Sequence, residues 1–231
     1  MPTLTHPRTD VHERRDRSGE AGWEALNGRD GSVPPIDREQ GGGGPGAEGG
    51  AYREATRTAR VGAWVLVAAV TMLFVGFSST YLVRRTGPGW VQGPMPPILY
   101  LNTAVLAASS LWLELARRAG LHGRVARLTR YLAGAWAAGL LFVVGQVVAW
   151  WQMAQQGLLP ASGPHASFFY LLSGMHALHV LAGLVWLGIG WARSRRVLSY
   201  GPVQPTVESG AIFWHFMGVL WLYLWFLLFG A

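Results

Sequence analysis

Five long apolar runs alternate along the chain with short segments that carry most of its charge. The runs cover about residues 61–83, 97–116, 132–153, 167–192 and 210–230. Each reaches the ~20 residues that a helix needs to cross ~30 Å of hydrocarbon. The pattern predicts an all-α fold, a polytopic membrane bundle of five transmembrane helices, here helix 1 to helix 5. Residues 1–55 read differently. They mix charges densely, hold few large apolar side chains and include GGGGPGAEGG at 41–50. Such a segment cannot bury enough apolar surface to offset its ordering entropy. It is expected to be a disordered cytoplasmic tail, with 56–231 forming the transmembrane domain. No apolar core of ~7–15 residues follows its early arginines, so no signal peptide is expected.

Within each apolar run lies one small or polar stripe. In helix 4, at 100° per residue, His176, His179, Gly183 and Gly190 share a narrow face. Polar side chains are costly in hydrocarbon, and glycine permits close helix approach, so this stripe should face protein. Helix 1 places Thr71 and Ser78 on one face. Helix 2 pairs Asn102 with Ser109 and Thr103 with Ser110. Helix 3 has Gln146 and Gly139 together, and helix 5 has His215 with Gly218 and with Glu208 seven residues before it. Interhelical hydrogen bonding, worth ~0.6–2 kcal/mol per bond, is the ordinary use of such stripes.

Charge then orients the bundle. The chain has 231 residues and a formal charge of +7, which would suit nucleic acid, but the distribution points elsewhere. All nineteen cationic side chains are arginine, and ten of the twelve acids precede residue 60. Arg53, Arg57 and Arg60 precede helix 1. Five arginines lie between helices 2 and 3, and Arg193, Arg195 and Arg196 follow helix 4. Those eleven fall on one side and only Arg84 and Arg85 on the other. The positive-inside rule puts the N-terminus in the cytoplasm and the C-terminus outside, with no nucleic-acid partner. Glu114 can pair with Arg117 or Arg118 at i+3 or i+4. Glu208 sits at the boundary near the arginines after helix 4, suited to an ion pair or to the start of helix 5.

The chain has no cysteine, which removes disulfides, thiolate metal sites and a thiol nucleophile. No intramembrane carboxylate pair, Ser–His constellation or phosphate loop occurs. Three intramembrane histidines invite a haem or metal reading. Depth weighs against it: His176 lies ~13 Å and His179 ~18 Å below the outer boundary, whereas His215 is ~8 Å from the opposite one. His176 and His179 share one helix and cannot clamp both faces of a flat haem. Structural hydrogen bonding, a proton- or lipid-linked role and metal ligation all stay open at this point.

Two stretches carry a family resemblance. Ser167-Phe168-Phe169, then Ser173-Gly174-Met175-His176-Ala177-Leu178-His179-Val180 and Gly183, resemble the hallmark helix of haem–copper oxidase subunit III. Glu208, Phe213-Trp214-His215-Phe216 and Val219-Leu220-Trp221-Leu222 are similar to that family's motif in the last helix. Weaker likenesses run from Thr71 to Arg85 and from Asn102 to Ser110, so the resemblance covers about residues 60–231.

The resemblance implies a non-catalytic core subunit of a bacterial terminal oxidase in the cytoplasmic membrane. That complex, expected to be a cytochrome c oxidase, reduces O₂ to water and pumps protons. This chain would bind no redox cofactor or metal itself, the haems and copper belonging to subunits I and II. Subunits I and II, phospholipids and a larger respiratory supercomplex are the implied partners. His176, His179, Glu208 and His215 would be hydrogen-bonding supports of the helix 4–helix 5 packing and not catalysts, with Gly183, Trp214 and Trp221 as further structural residues of the family motifs. A five-helix form lacks the two helices that help build the family's lipid cleft. Val70 and Gly218 stand where many members carry carboxylates. The alternatives are an accessory subunit of a quinol oxidase or nitric oxide reductase, and a stand-alone haem-b cytochrome.

Overall fold

A computed structural model describes residues 45–90, 93 and 95–230. Five long α-helices follow one another: α1 Pro45–Arg85, α2 Ile98–Leu121, α3 Val125–Gln155, α4 Pro164–Ser194 and α5 Gln204–Phe229. No strand occurs among the described residues. All five helices are long and apolar enough to cross a membrane. Each is longer than its apolar segment, because helical hydrogen bonding continues into flanking polar turns, which carry arginine in α1 to α4. The difference is largest in α1, whose helical backbone starts at Pro45, so residues 45–55 of the expected tail are helical. Tyr52 and Thr56 are the reason: Thr56 is buried, and the Tyr52 ring covers Gly201 in the α4–α5 connection. Residues 1–44 of the expected tail lie outside the described residues.

α2 packs along α3, α3 against α4, α4 against α5, and α5 back against α2, which closes a four-helix ring. α1 lies outside this ring against α5 and, over a shorter length, α4. Among the described residues α1 and α2 do not pack together, and α5 lies between them. The tight α2–α3 turn uses Gly123 at φ 69°, a conformation that costs a side-chain-bearing residue strain.

Small residues set how closely the helices approach. A Cβ on Gly145 of α3 would collide with the Asn102 amide of α2, so the glycine seats that buried side chain. Trp214 of α5, fully buried, fits between Gly139 of α3 and Gly183 of α4. In a membrane there is no hydrophobic drive between helices, so contacts of this kind, with interhelical hydrogen bonds, hold the bundle. Indoles supply several of those bonds. Trp136 Nε1 of α3 donates to Leu184 O of α4 (3.1 Å), and Trp150 Nε1 to Ser173 Oγ (2.9 Å). Trp221 Nε1 of α5 donates to Thr103 Oγ1 of α2 (3.0 Å). Ser109 Oγ adds a bond to Ala135 O between α2 and α3 (2.8 Å).

Candidate functional site

At one end of the bundle the start of α1, the end of α2, the α4–α5 connection and the start of α5 converge on Glu208. Its side chain is 5% exposed. Arg60 Nη2 of α1 donates to Glu208 Oε2 at 3.0 Å, and Arg117 Nη1 of α2 stands 3.6 Å from the same oxygen. Tyr200 Oη donates to Glu208 Oε1 at 3.4 Å. Burial, and then the neighbouring Glu208 charge, push the Tyr200 phenol above its ordinary value. The Tyr200 ring lies over Gly120, where any side chain would collide with it. Arg117 in turn binds Glu114 through Nε (2.9 Å), and Arg118 Nε binds the other Glu114 oxygen (2.9 Å). Two carboxylates and three arginines thus tie α1, α2 and α5 together.

Glu208 therefore pairs with Arg60 and Arg117, not with the arginines that follow α4. Of those, Arg193 donates to Thr206 Oγ1 (3.1 Å) and Arg195 lies over the Trp191 ring at 5.4 Å. Sequence proximity singled out the wrong arginines. α1 and α5 run parallel and α2 antiparallel to both, which brings Arg60 and Arg117 to the level of Glu208 from 148 and 91 residues away.

The three intramembrane histidines face three different neighbours. His176 is fully buried, its ring 5.2 Å from Trp221 of α5 and 5.9 Å from Phe142 of α3. Neither of its nitrogens has a hydrogen-bond partner among the described residues. The hydrogen-bonding support expected of His176 is thus not made among the described residues, and its contacts there are ring packing. His179 points toward α1, edge-on to Phe74 at 5.8 Å, with Nδ1 bonded to Met175 O of its own helix (2.7 Å). His215 is half-buried and lines a cleft between α2 and α5 with Thr103, Ser110 and Gly218. No group of three or more His, Cys, Asp or Glu able to hold a metal occurs among the described residues. Gly183 and Gly190 of the histidine stripe do face α5, against Trp214 and Thr206. At the two positions without carboxylates, Val70 is buried in the core and Gly218 opens toward Ser110.

A second polar cluster, not singled out from sequence, holds the opposite end. The Gly93 N–H donates to His165 Nδ1 (3.3 Å), which places the ring proton on Nε2, facing Leu228 O of α5 at 3.3 Å. The His165 ring is buried between Trp90 and Phe229, at 5.5 and 5.9 Å. The only signal in the sequence was Pro164-His165 at the start of a span, and nothing there marks burial.

Buried tryptophan contacts, small-residue seams and a charged collar at one end define an integral membrane protein of the polytopic helix-bundle class. Residues 49–230 match the family model described as cytochrome c oxidase subunit III. The chain is similar to the probable cytochrome c oxidase subunit 3 of Mycobacterium leprae, 31% identical over 172 residues, 71% of this chain and 83% of that one. It is 30% identical over 168 residues to the probable cytochrome c oxidase subunit 3 of Nocardia farcinica, covering 70% and 82%. The cytochrome c oxidase subunit 3 of Synechocystis sp. is 30% identical over 175 residues, 73% of each chain. The chain belongs to the cytochrome c oxidase subunit III family.

Proposed function

We propose that this chain is the non-catalytic subunit III of a cytochrome c oxidase, packed beside subunit I in the membrane. The observation that carries the reading is the match over residues 49–230, which takes in all five membrane helices. The chemistry of the chain agrees. Ser109, Ser173, Trp136 and Trp221 bond along and between its own helices, while Gln146 and His176 are buried without a hydrogen-bond partner among the described residues, and its three intramembrane imidazoles diverge instead of converging on one site. A subunit built this way contributes a rigid wall and leaves haem and copper chemistry, electron entry from cytochrome c and proton pumping to subunits I and II.

The arginine-rich end faces the cytoplasm in this reading. Eleven arginines against two favour that orientation. The Arg60–Glu208–Arg117 contacts gather the start of α1, the end of α2 and the start of α5 at one level. Glu208 and His176 serve as supports of the α5 contacts, not as groups that meet substrate.

Affinity purification of the tagged chain in mild detergent tests the proposal. The eluate should show reduced-minus-oxidised haem bands and contain subunits I and II, and the chain separated from them should show no haem band. Haem retained by the isolated chain, or no haem protein in the eluate, overturns the proposal.

A further inference from the structure

Inside the four-helix ring, three helices bring buried polar side chains to one level: Asn102 of α2, Gln146 of α3 and His176 of α4. Asn102 Nδ2, Gln146 Nε2 and Oε1, and both His176 nitrogens have no hydrogen-bond partner among the described residues. The helix register places these groups together. Asn102 lies against Gly145, the residue before Gln146. Trp150 of α3 meets Ser173 of α4. In that antiparallel pair Gln146 is four residues back along α3 and His176 three residues on along α4, ~6 and ~4.5 Å in the same direction. Gln146 also faces into the ring. It follows Gly139, which meets Leu184 and Trp214, by seven residues, or ~20° around the helix. It follows Phe142, which packs on His176 and Trp221, by four residues, or ~40°.

The polar groups of the protein next to this cluster are engaged elsewhere. Trp221 Nε1, on the ring beside the imidazole, donates to Thr103 Oγ1. Ser173, one turn from His176, donates to Phe169 O and accepts from Trp150 Nε1. The two amides and the imidazole together offer both donors and acceptors. A buried polar group without a partner is costly, and where several converge the usual partner is enclosed water. Amides and an imidazole suit an uncharged ligand of this kind better than an ion, whose burial demands a compensating charge.

We propose that the α2–α3–α4 interior is a bound-water site, in which water accepts from Asn102 Nδ2 and Gln146 Nε2 and donates to Gln146 Oε1 and to the bare nitrogen of His176. The contacts of His176 with protein remain ring packing, and its nitrogens are left for water. Such water links three helices within the membrane at a level where no side chain of one reaches a polar group of the next. The inference needs the helix bundle alone and stands whether or not the chain serves an oxidase.

High-resolution cryo-EM of the purified membrane complex that contains this chain, with X-ray hydroxyl-radical footprinting of the same sample, tests this. The map should show a peak ~2.7–3.2 Å from Gln146 and from Asn102 or His176. Radiolysis of enclosed water should oxidise the Phe142 ring although it is buried. Phe213, equally buried but ~12 Å back along α5 from Trp221, should stay unlabelled. Gln146→Leu, close in volume and without polar atoms, should lose the Phe142 label, with labelling of the exposed Trp151 unchanged. Retention of the subunit in the complex reports folding separately, and if that variant is not retained the wild-type map and labels still decide. Resolved side chains with no water peak, a direct Gln146–His176 hydrogen bond, Phe142 labelling no greater than that of Phe213, or an unchanged label in a retained Gln146→Leu variant overturns the proposal.

Discussion

Arg60 and Glu208, 148 residues apart, meet at 3.0 Å and fasten α1, the helix outside the four-helix ring, to the start of α5. The arginine side chain is 51% exposed and the carboxylate 5%. Glu208 is thus the desolvated partner, and its satisfaction depends on cations supplied by two other helices. Removing the carboxylate leaves Arg117 with Glu114 alone, whereas removing Arg60 leaves Glu208 with Arg117 and Tyr200. Glu208→Gln should cost about 1–3 kcal/mol, below the range for fully buried pairs because Arg60 is half in solvent. Arg60→Gln should cost less. Thermal unfolding of the purified complex, followed through retention of this subunit, measures both. Equal loss from the two variants would show that Glu208 gains nothing from Arg117.

The Trp221–Thr103 bond is one of few polar ties between α5 and α2. Trp221→Phe keeps a ring against His176 and Phe142 and removes only the donor. It should cost about 1 kcal/mol, as should Thr103→Val, and the double variant should cost little more than either alone. Additive losses in the same unfolding measurement would mean that the bond contributes nothing.

Glycine positions divide sharply. A Cβ on Gly139 would stand 2.7 Å from the Leu184 and Trp214 side chains, so Gly139→Ala must push α4 or α5 away and should cost about 1–3 kcal/mol. Gly76→Ala meets nothing within 4 Å and should be neutral or slightly stabilising. Subunit retention during detergent purification distinguishes them.

His176 is held by ring packing, so its replacement should follow volume. His176→Leu should lower stability modestly and His176→Ala by about 2–4 kcal/mol through the cavity it leaves. Neither should change the haem spectrum of complexes that assemble. A shifted or missing haem band in an intact complex would give the imidazole a ligand role that this geometry does not.

Tyr200 predicts an alkaline effect. Its phenol is raised by burial and by Glu208, so the folded chain holds that proton more tightly than the unfolded chain does. The stabilisation is fully present below the ordinary tyrosine value near ~10 and is lost as pH rises through the higher folded value. Tyr200→Phe should therefore narrow its stability gap to wild type, or overtake it, above pH ~10, with a constant gap between pH ~6 and ~9. Melting temperatures of both proteins across that range decide it.

Sequence alone determined the five spans, the charge asymmetry and the inward face of the His176–Gly190 stripe. Hydrocarbon length and the cost of buried polarity act on each segment separately, so they can be read locally. The motifs around His176 and Glu208 made the family legible for the same reason. Tertiary structure decided which cations satisfy Glu208, that His176 packs instead of bonding, that His165 closes the far end, and that α1 is helical from Pro45. Each depends on a partner brought near by the packing of the helices and their connections: Arg60 and Arg117 for Glu208, Trp221 and Phe142 for His176, Gly93 and Leu228 for His165, Gly201 for Tyr52. A one-dimensional pattern records that a polar or aromatic group needs a partner, and only the packing of the helices supplies it.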